Sequence, residues 1–164
     1  MPVPAAIEWI ETTPLSIAIR EGAFPYPIIG AVHLLSIALF GGMVVATNLR
    51  LLGWAMPSYA VSDLIRGLRP WKCIGGIVIA TTGFLLTWAE PVRLYGSPSF
   101  WTKMGLFALV GVHAAVFRPY VYRNPEKLDA RLTWQAKVAA ALSLMLWAGL
   151  ILSGRLIAFD ASFD

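Results

Sequence analysis

GAFPYPIIGAVHLLSIALFGGMVVATNL, residues 22–49, contains no Asp, Glu, Lys or Arg. A helix that packs on a soluble core needs one apolar stripe, whereas this segment is apolar all round. It exceeds the roughly 20 apolar residues that carry a helix across the hydrocarbon layer of a bilayer. Uncharged runs return at Cys73–Ala89, Met104–Phe117 and Val138–Gly154. The pattern predicts an all-α, integral membrane four-helix bundle forming a single domain over 1–164. Its helices are expected over about 26–52, 71–90, 99–118 and 132–157.

Only 13% of the 164 residues are charged, about half the usual share of a soluble domain. The third helix has the shortest uncharged core. It reaches spanning length if it starts near Ser99 and Lys103 snorkels to the outer surface. Pro57 and Pro70 are expected to close the helices flanking the first loop, with a short helix over 61–67 between them. Arg118-Pro119 is expected to end the third helix. Ahead of the first span, residues 4–22 mix Ile7, Trp9, Ile10, Leu15, Ile17 and Ile19 with Glu8, Glu11, Arg20 and Glu21. Thr13-Pro14 suits an N-cap followed by Pro at the first helical position. Two short amphipathic helices in the membrane interface fit this pattern. The segment has no basic leader and is expected to be retained.

The net charge of +4 does not form a face for nucleic acid, so no such partner is expected. It describes topology instead. Arg50, Arg66, Arg69 and Lys72, then Arg118, Arg123, Lys127, Arg131 and Lys137, fall in the two loops on one side. Cations near helix ends favour the cytoplasmic face. The expected location is a bacterial inner membrane with both termini periplasmic. Trp9, Tyr26, Trp88, Tyr95 and Trp101 then fall at the outer interface, and Trp54, Tyr59, Trp71, Tyr120, Tyr122 and Trp134 at the inner one. Trp147 lies mid-helix, where its N–H needs a partner. Cys73 is the single cysteine, so no internal disulfide forms.

His33 and His113 lie inside two of the spans. An ionisable group at that depth is a candidate functional residue. Such an imidazole ligates haem iron, binds copper or hydrogen-bonds a neighbouring helix. His33 lies roughly 10 Å and His113 roughly 18 Å below the outer helix ends, an offset that counts against one shared iron. Arg50 and Arg155 each follow an apolar run on opposite faces, placed to hold a haem propionate, a quinone carbonyl or a lipid phosphate. Met43, Met104, Met145 and Cys73 are the sulfur donors for a copper reading. No nucleophile–base pair, paired carboxylates or phosphate loop is present.

The stretches AVHLL (31–35), NLRLLG (48–53), RPW (69–71), FWTK (100–103) and GRLIAF (154–159) resemble an uncharacterised family of small bacterial four-helix membrane proteins. That resemblance covers nearly the whole chain and implies fold and topology rather than activity. More distantly the chain is similar to copper-resistance D type and b-type cytochrome membrane domains, which implies haem or copper. In that pattern an Asp often stands at the place of Asn48 and a His at the place of Arg118, so His113 either replaces the missing ligand or the ligand set is broken.

Three functions follow as expectations. The first is a small electron-transfer subunit that binds b-type haem through His33 and His113 and passes electrons between quinone and a periplasmic partner. The second is a non-catalytic structural subunit of a larger membrane complex, or a homo-oligomer. The third is a copper-handling membrane protein. None is a stand-alone enzyme.

Overall fold

The computed structural model describes residues 3–160, which form eight helices and no strand. Four are long: α3 (Pro25–Leu52), α4 (Val61–Ala89), α6 (Pro98–Val121) and α8 (Trp134–Asp160). All four are long and apolar enough to cross a membrane, and the protein is a multi-pass membrane protein. The short helices α1 (Ala5–Glu11), α2 (Pro14–Glu21) and α5 (Pro91–Tyr95) sit at one end. Helix α7 (Glu126–Ala130) sits at the other. The long helices pack in the spatial order α4, α3, α8, α6, with no substantial contact between α4 and α6.

Two expected boundaries move. The short helix over 61–67 and the second span are one continuous α4, with Pro70 inside it. Pro119 likewise lies inside α6, which runs on to Val121. Proline breaks a helix by removing one N–H and crowding the carbonyl four residues earlier. Pro119 lies two residues from the end of α6. Pro70 is the tenth residue of α4, and the carbonyl four residues before it belongs to exposed Arg66, where water can take the place of the one lost bond. Thr13-Pro14 behaves as expected: the Thr13 hydroxyl accepts from Ser16 N at 3.4 Å and Pro14 opens α2.

The short N-terminal helices are tied to the end of α4. Ser16 Oγ and Arg20 Nη1 each donate to the Ala89 carbonyl at 3.1 Å, and Trp88 Nε1 donates to Thr13 Oγ1 at 3.1 Å. A helix leaves its last carbonyls without intrahelical donors, and here α2 supplies them.

Two helix N-termini are closed by carboxylates from distant segments. Asp129, in α7, accepts from Ser62 N at 2.9 Å and Ser62 Oγ at 2.6 Å at the start of α4. Asp160, at the end of α8, accepts from Ser99 N at 2.9 Å, Ser99 Oγ at 3.0 Å and Ser97 Oγ at 2.5 Å at the start of α6. Each pairs a carboxylate with the positive end of a helix dipole. Next to Asp129, Leu51, Val61, Ile65, Val121, Leu128, Ala136, Ala139 and Ala140 form the buried cluster that joins all four long helices to α7.

In the middle of the bundle the Trp147 indole packs onto α3 where Gly41 leaves room. A Cβ on Gly41 would lie 2.6 Å from Nε1 and 2.8 Å from Cζ2. Phe40 completes this contact at 5.4 Å between ring centroids. Gly41→Ala is expected to cost about 1–3 kcal/mol by overpacking. Gly42→Ala, which adds a methyl to open space, is the control, and thermal unfolding in detergent is expected to show it as stable as wild type or up to about 1 kcal/mol more so.

The bonds from Ser62 hold the Asp129 carboxyl below the usual carboxylate range. The unfolded chain therefore takes up the proton first as pH falls. The stabilisation is complete above about pH 4 and is lost as pH drops through the lower folded value. Midpoints measured from about pH 6 to about pH 3 are expected to fall more steeply for wild type than for Asp129→Asn.

Candidate functional site: two intramembrane histidines in separate seams

Tyr26, His33, Phe40 and Thr47 recur every seven residues along α3. A seven-residue repeat keeps one stripe of a helix turned toward one neighbour. The neighbour is α4, which runs antiparallel. Tyr26 Oη donates to Glu90 Oε2 at 3.0 Å, just past the end of α4. The His33 ring meets Thr82 at 2.7 Å. Phe40 packs on Gly75, where an added Cβ would lie 3.4 Å from its Cδ2. Thr47 Oγ1 accepts from Lys72 Nζ at 2.7 Å. The seam thus carries three polar rungs and one apolar one.

The tautomer of His33 follows from its partner. Thr82 has one hydroxyl proton, and its oxygen lies 2.6 Å from the Val78 carbonyl, which can only accept. That proton is committed, so Thr82 Oγ1 accepts from His33 Nδ1–H. Nε2 is left as a bare lone pair. The ring is only 9% exposed. It lies against Gly83, where a Cβ would come within 3.2 Å of Cε1.

His113 is arranged the other way. Its Nε2 lies 2.9 Å from the Ala139 carbonyl of α8, so Nε2 carries the proton and Nδ1 is bare. The ring tilts against Phe117, one turn on, at 5.0 Å. His33 therefore belongs to the α3–α4 seam and His113 to the α6–α8 seam.

Their levels differ as well. Asn48 Nδ2 donates to Ser143 Oγ at 2.9 Å and fixes the register of α3 against α8. Ala139 lies one turn beyond Ser143, away from His33. Asn48 is 48 − 33 = 15 residues from His33, or roughly 22 Å along the helix. The structure places the two imidazoles toward opposite ends of the bundle and does not bring them together.

The two arginines fare differently. Arg50 is 7% exposed. Its Nε donates to the Tyr59 carbonyl at 2.7 Å and its Nη2 reaches the Pro57 carbonyl at 3.5 Å. It clamps the α3–α4 loop, in which Met56 takes a left-handed φ of 51°. Arg155 is exposed and lies over the Phe159 ring at 5.6 Å.

The family is decided by the match of residues 6–160 to a family of unknown function, DUF6644. The chain belongs to DUF6644. No curated protein and no solved structure matches this DUF6644 chain, and similarity to copper-resistance D or b-type cytochrome domains is not shown.

The sequence reading gave no site role to two residues of this DUF6644 protein: Lys72, which takes part in the α3–α4 seam, and Lys103. Lys103 Nζ turns onto α8, 3.3 Å from where a Gly154 Cβ would lie, and toward the Phe107 ring one turn deeper. The spacing of Tyr26, His33 and Thr47 was a usable signal for the seam. Nothing local marks Lys103. Two clefts of about 310 and 300 Å³ lie at the two bundle ends, one beside Arg93, Ser97 and Asp160, the other beside Asn124, Lys127 and Thr133, away from both histidines. No group of three or more His, Cys, Asp or Glu side chains gathers among the described residues, and Cys73 is exposed.

A haem iron held jointly by His33 and His113 does not fit a separation of roughly 22 Å. Taken alone, His33 is oriented as metal-bound histidines usually are, with one ring N–H anchored and the other nitrogen open. Thr82→Val should lower stability by about 1 kcal/mol. A double-mutant cycle with His33→Leu should show that most of the His33 contribution runs through this bond, measured by thermal unfolding in detergent.

Proposed function

We propose that this protein is a non-catalytic subunit of a larger membrane complex, its two histidines serving as hydrogen-bond pegs between helices. The single observation that carries this reading is that each imidazole is already engaged by a neighbouring helix, His33 by Thr82 and His113 by Ala139. In lipid such bonds contribute about 0.6–2 kcal/mol each and fix the register of packed helices. Helices α4 and α6 each pack on one long neighbour and turn broad apolar faces outward, including Ile74, Ile77 and Phe84 on α4 and Leu109, Val112 and Val116 on α6. The lipid bilayer covers such faces, and a partner helix or a second copy of the chain fits the same surface. The cations of the α7 end support a cytoplasmic position for that end, with both termini in the periplasm of a bacterial inner membrane.

A second reading rests on the open Nε2 of His33. A b-type haem held there, with a second ligand from a partner, would serve electron transfer between quinone and a periplasmic protein. Copper at the same nitrogen is the variant of this reading. In either case Thr82 would orient the ligand.

Purified protein in mild detergent separates the readings. The structural reading predicts no Soret band, no stoichiometric iron or copper, and migration on a native gel well above the 17.9 kDa chain. A Soret band abolished by His33→Ala but kept in His113→Ala would replace it with the haem reading. Stoichiometric copper lost in His33→Ala would select the copper variant.

A further inference from the structure

Two nitrogens in the membrane region near the α5 end are left without a hydrogen-bond partner among the described residues. Lys103 Nζ makes no hydrogen bond or ion pair among the described residues, and His33 Nε2 accepts none. An unpaired ammonium in hydrocarbon is costly. The side chain lies against Gly154 of α8 and near the Phe107 ring, and neither accepts a conventional hydrogen bond from it. The Asn48–Ser143 bond and the contact of Gly41 with Trp147 bring Gly154 level with residues 34–37 of α3, close to His33. Because α4 and α6 do not close on each other, this level opens sideways toward lipid.

The two nitrogens have complementary needs. Lys103 has only hydrogens to donate, and His33 Nε2 has only a lone pair to offer. A hydroxyl oxygen on a greasy molecule satisfies both, donating its proton to His33 and accepting from Lys103. We propose that His33 and Lys103 form a lipid-facing site for an amphiphile with an oxygen head: the ring hydroxyl of a quinol, or the carboxyl of a free fatty acid, whose proton passes to His33 Nε2 and whose carboxylate then accepts from both side chains. Thr82 holds the imidazole in the tautomer that keeps Nε2 open, and Gly83 and Gly154 leave space for the two side chains. The site differs from the partner surface proposed above and stands without it.

Calorimetric titration of the full chain in lipid nanodiscs, with decylubiquinol and with decanoic acid as separate probes, tests this. Saturable binding of at least one probe is expected. Lys103→Met should weaken it about tenfold or more, while Lys103→Arg, which keeps the donor, should stay within about threefold. His33→Leu should weaken binding comparably. If that variant does not fold by circular dichroism, the two Lys103 variants decide, since that side chain is half-buried and tolerates exchange. Binding of the quinol alone or of the acid alone identifies the source, and either supports the site. No saturable binding of either probe, or binding unchanged in Lys103→Met, overturns it.

Discussion

Polar side chains inside hydrocarbon must find partners within the protein, and the α3–α4 seam is where this chain meets that demand. Its seven-residue spacing places Tyr26, His33 and Thr47 opposite Glu90, Thr82 and Lys72, with Phe40 against Gly75 between them. A strictly apolar seam would slide, because lipid competes equally well for apolar side chains. Polar rungs do not slide without leaving unsatisfied groups behind, so they set the register. The same logic joins α3 to α8 through Asn48 and Ser143, and α6 to α8 through His113 and Ala139.

The ends of the bundle follow a second rule. Helix termini carry orphan backbone groups, and this chain satisfies several of them from far along the sequence. Asp129 and Asp160 close the N-termini of α4 and α6. Ser16 and Arg20 take up the last carbonyl of α4. Arg50 serves the first loop in the same way, which turns a charge expected to hold a ligand into a structural clamp. Surface pairs such as Arg66 with Glu126 and Arg93 with Glu90 add little by comparison.

Fold and span number were legible in the sequence because composition alone excludes a soluble helix for four long apolar runs. The Thr13 cap was legible because capping is local. The reach of α4 and α6 through Pro70 and Pro119 was not, since a proline forfeits one backbone bond and the packing of a continuous helix can outweigh that. For the site, the sequence singled out both histidines but not their separation. Depth counted from helix starts put them about 8 Å apart, whereas the register set by Asn48 with Ser143 separates them by about three times that. Register across α8 depends on contacts 95 residues apart in sequence, beyond any local pattern. Lys103 escaped for a similar reason. Its place beside Gly154 depends on how α6 lies on α8.

The account reduces to the claim that the two imidazoles are neutral, carry opposite tautomers and are each engaged by one neighbouring helix. Nitrogen-15 NMR of the histidine-labelled protein in lipid bilayers reads this directly. The account predicts a protonated Nδ1 with a bare Nε2 for His33, and a protonated Nε2 with a bare Nδ1 for His113, assigned through His33→Leu and His113→Leu. Both rings in the same tautomer, or both signals shifted together by one bound metal, would contradict it.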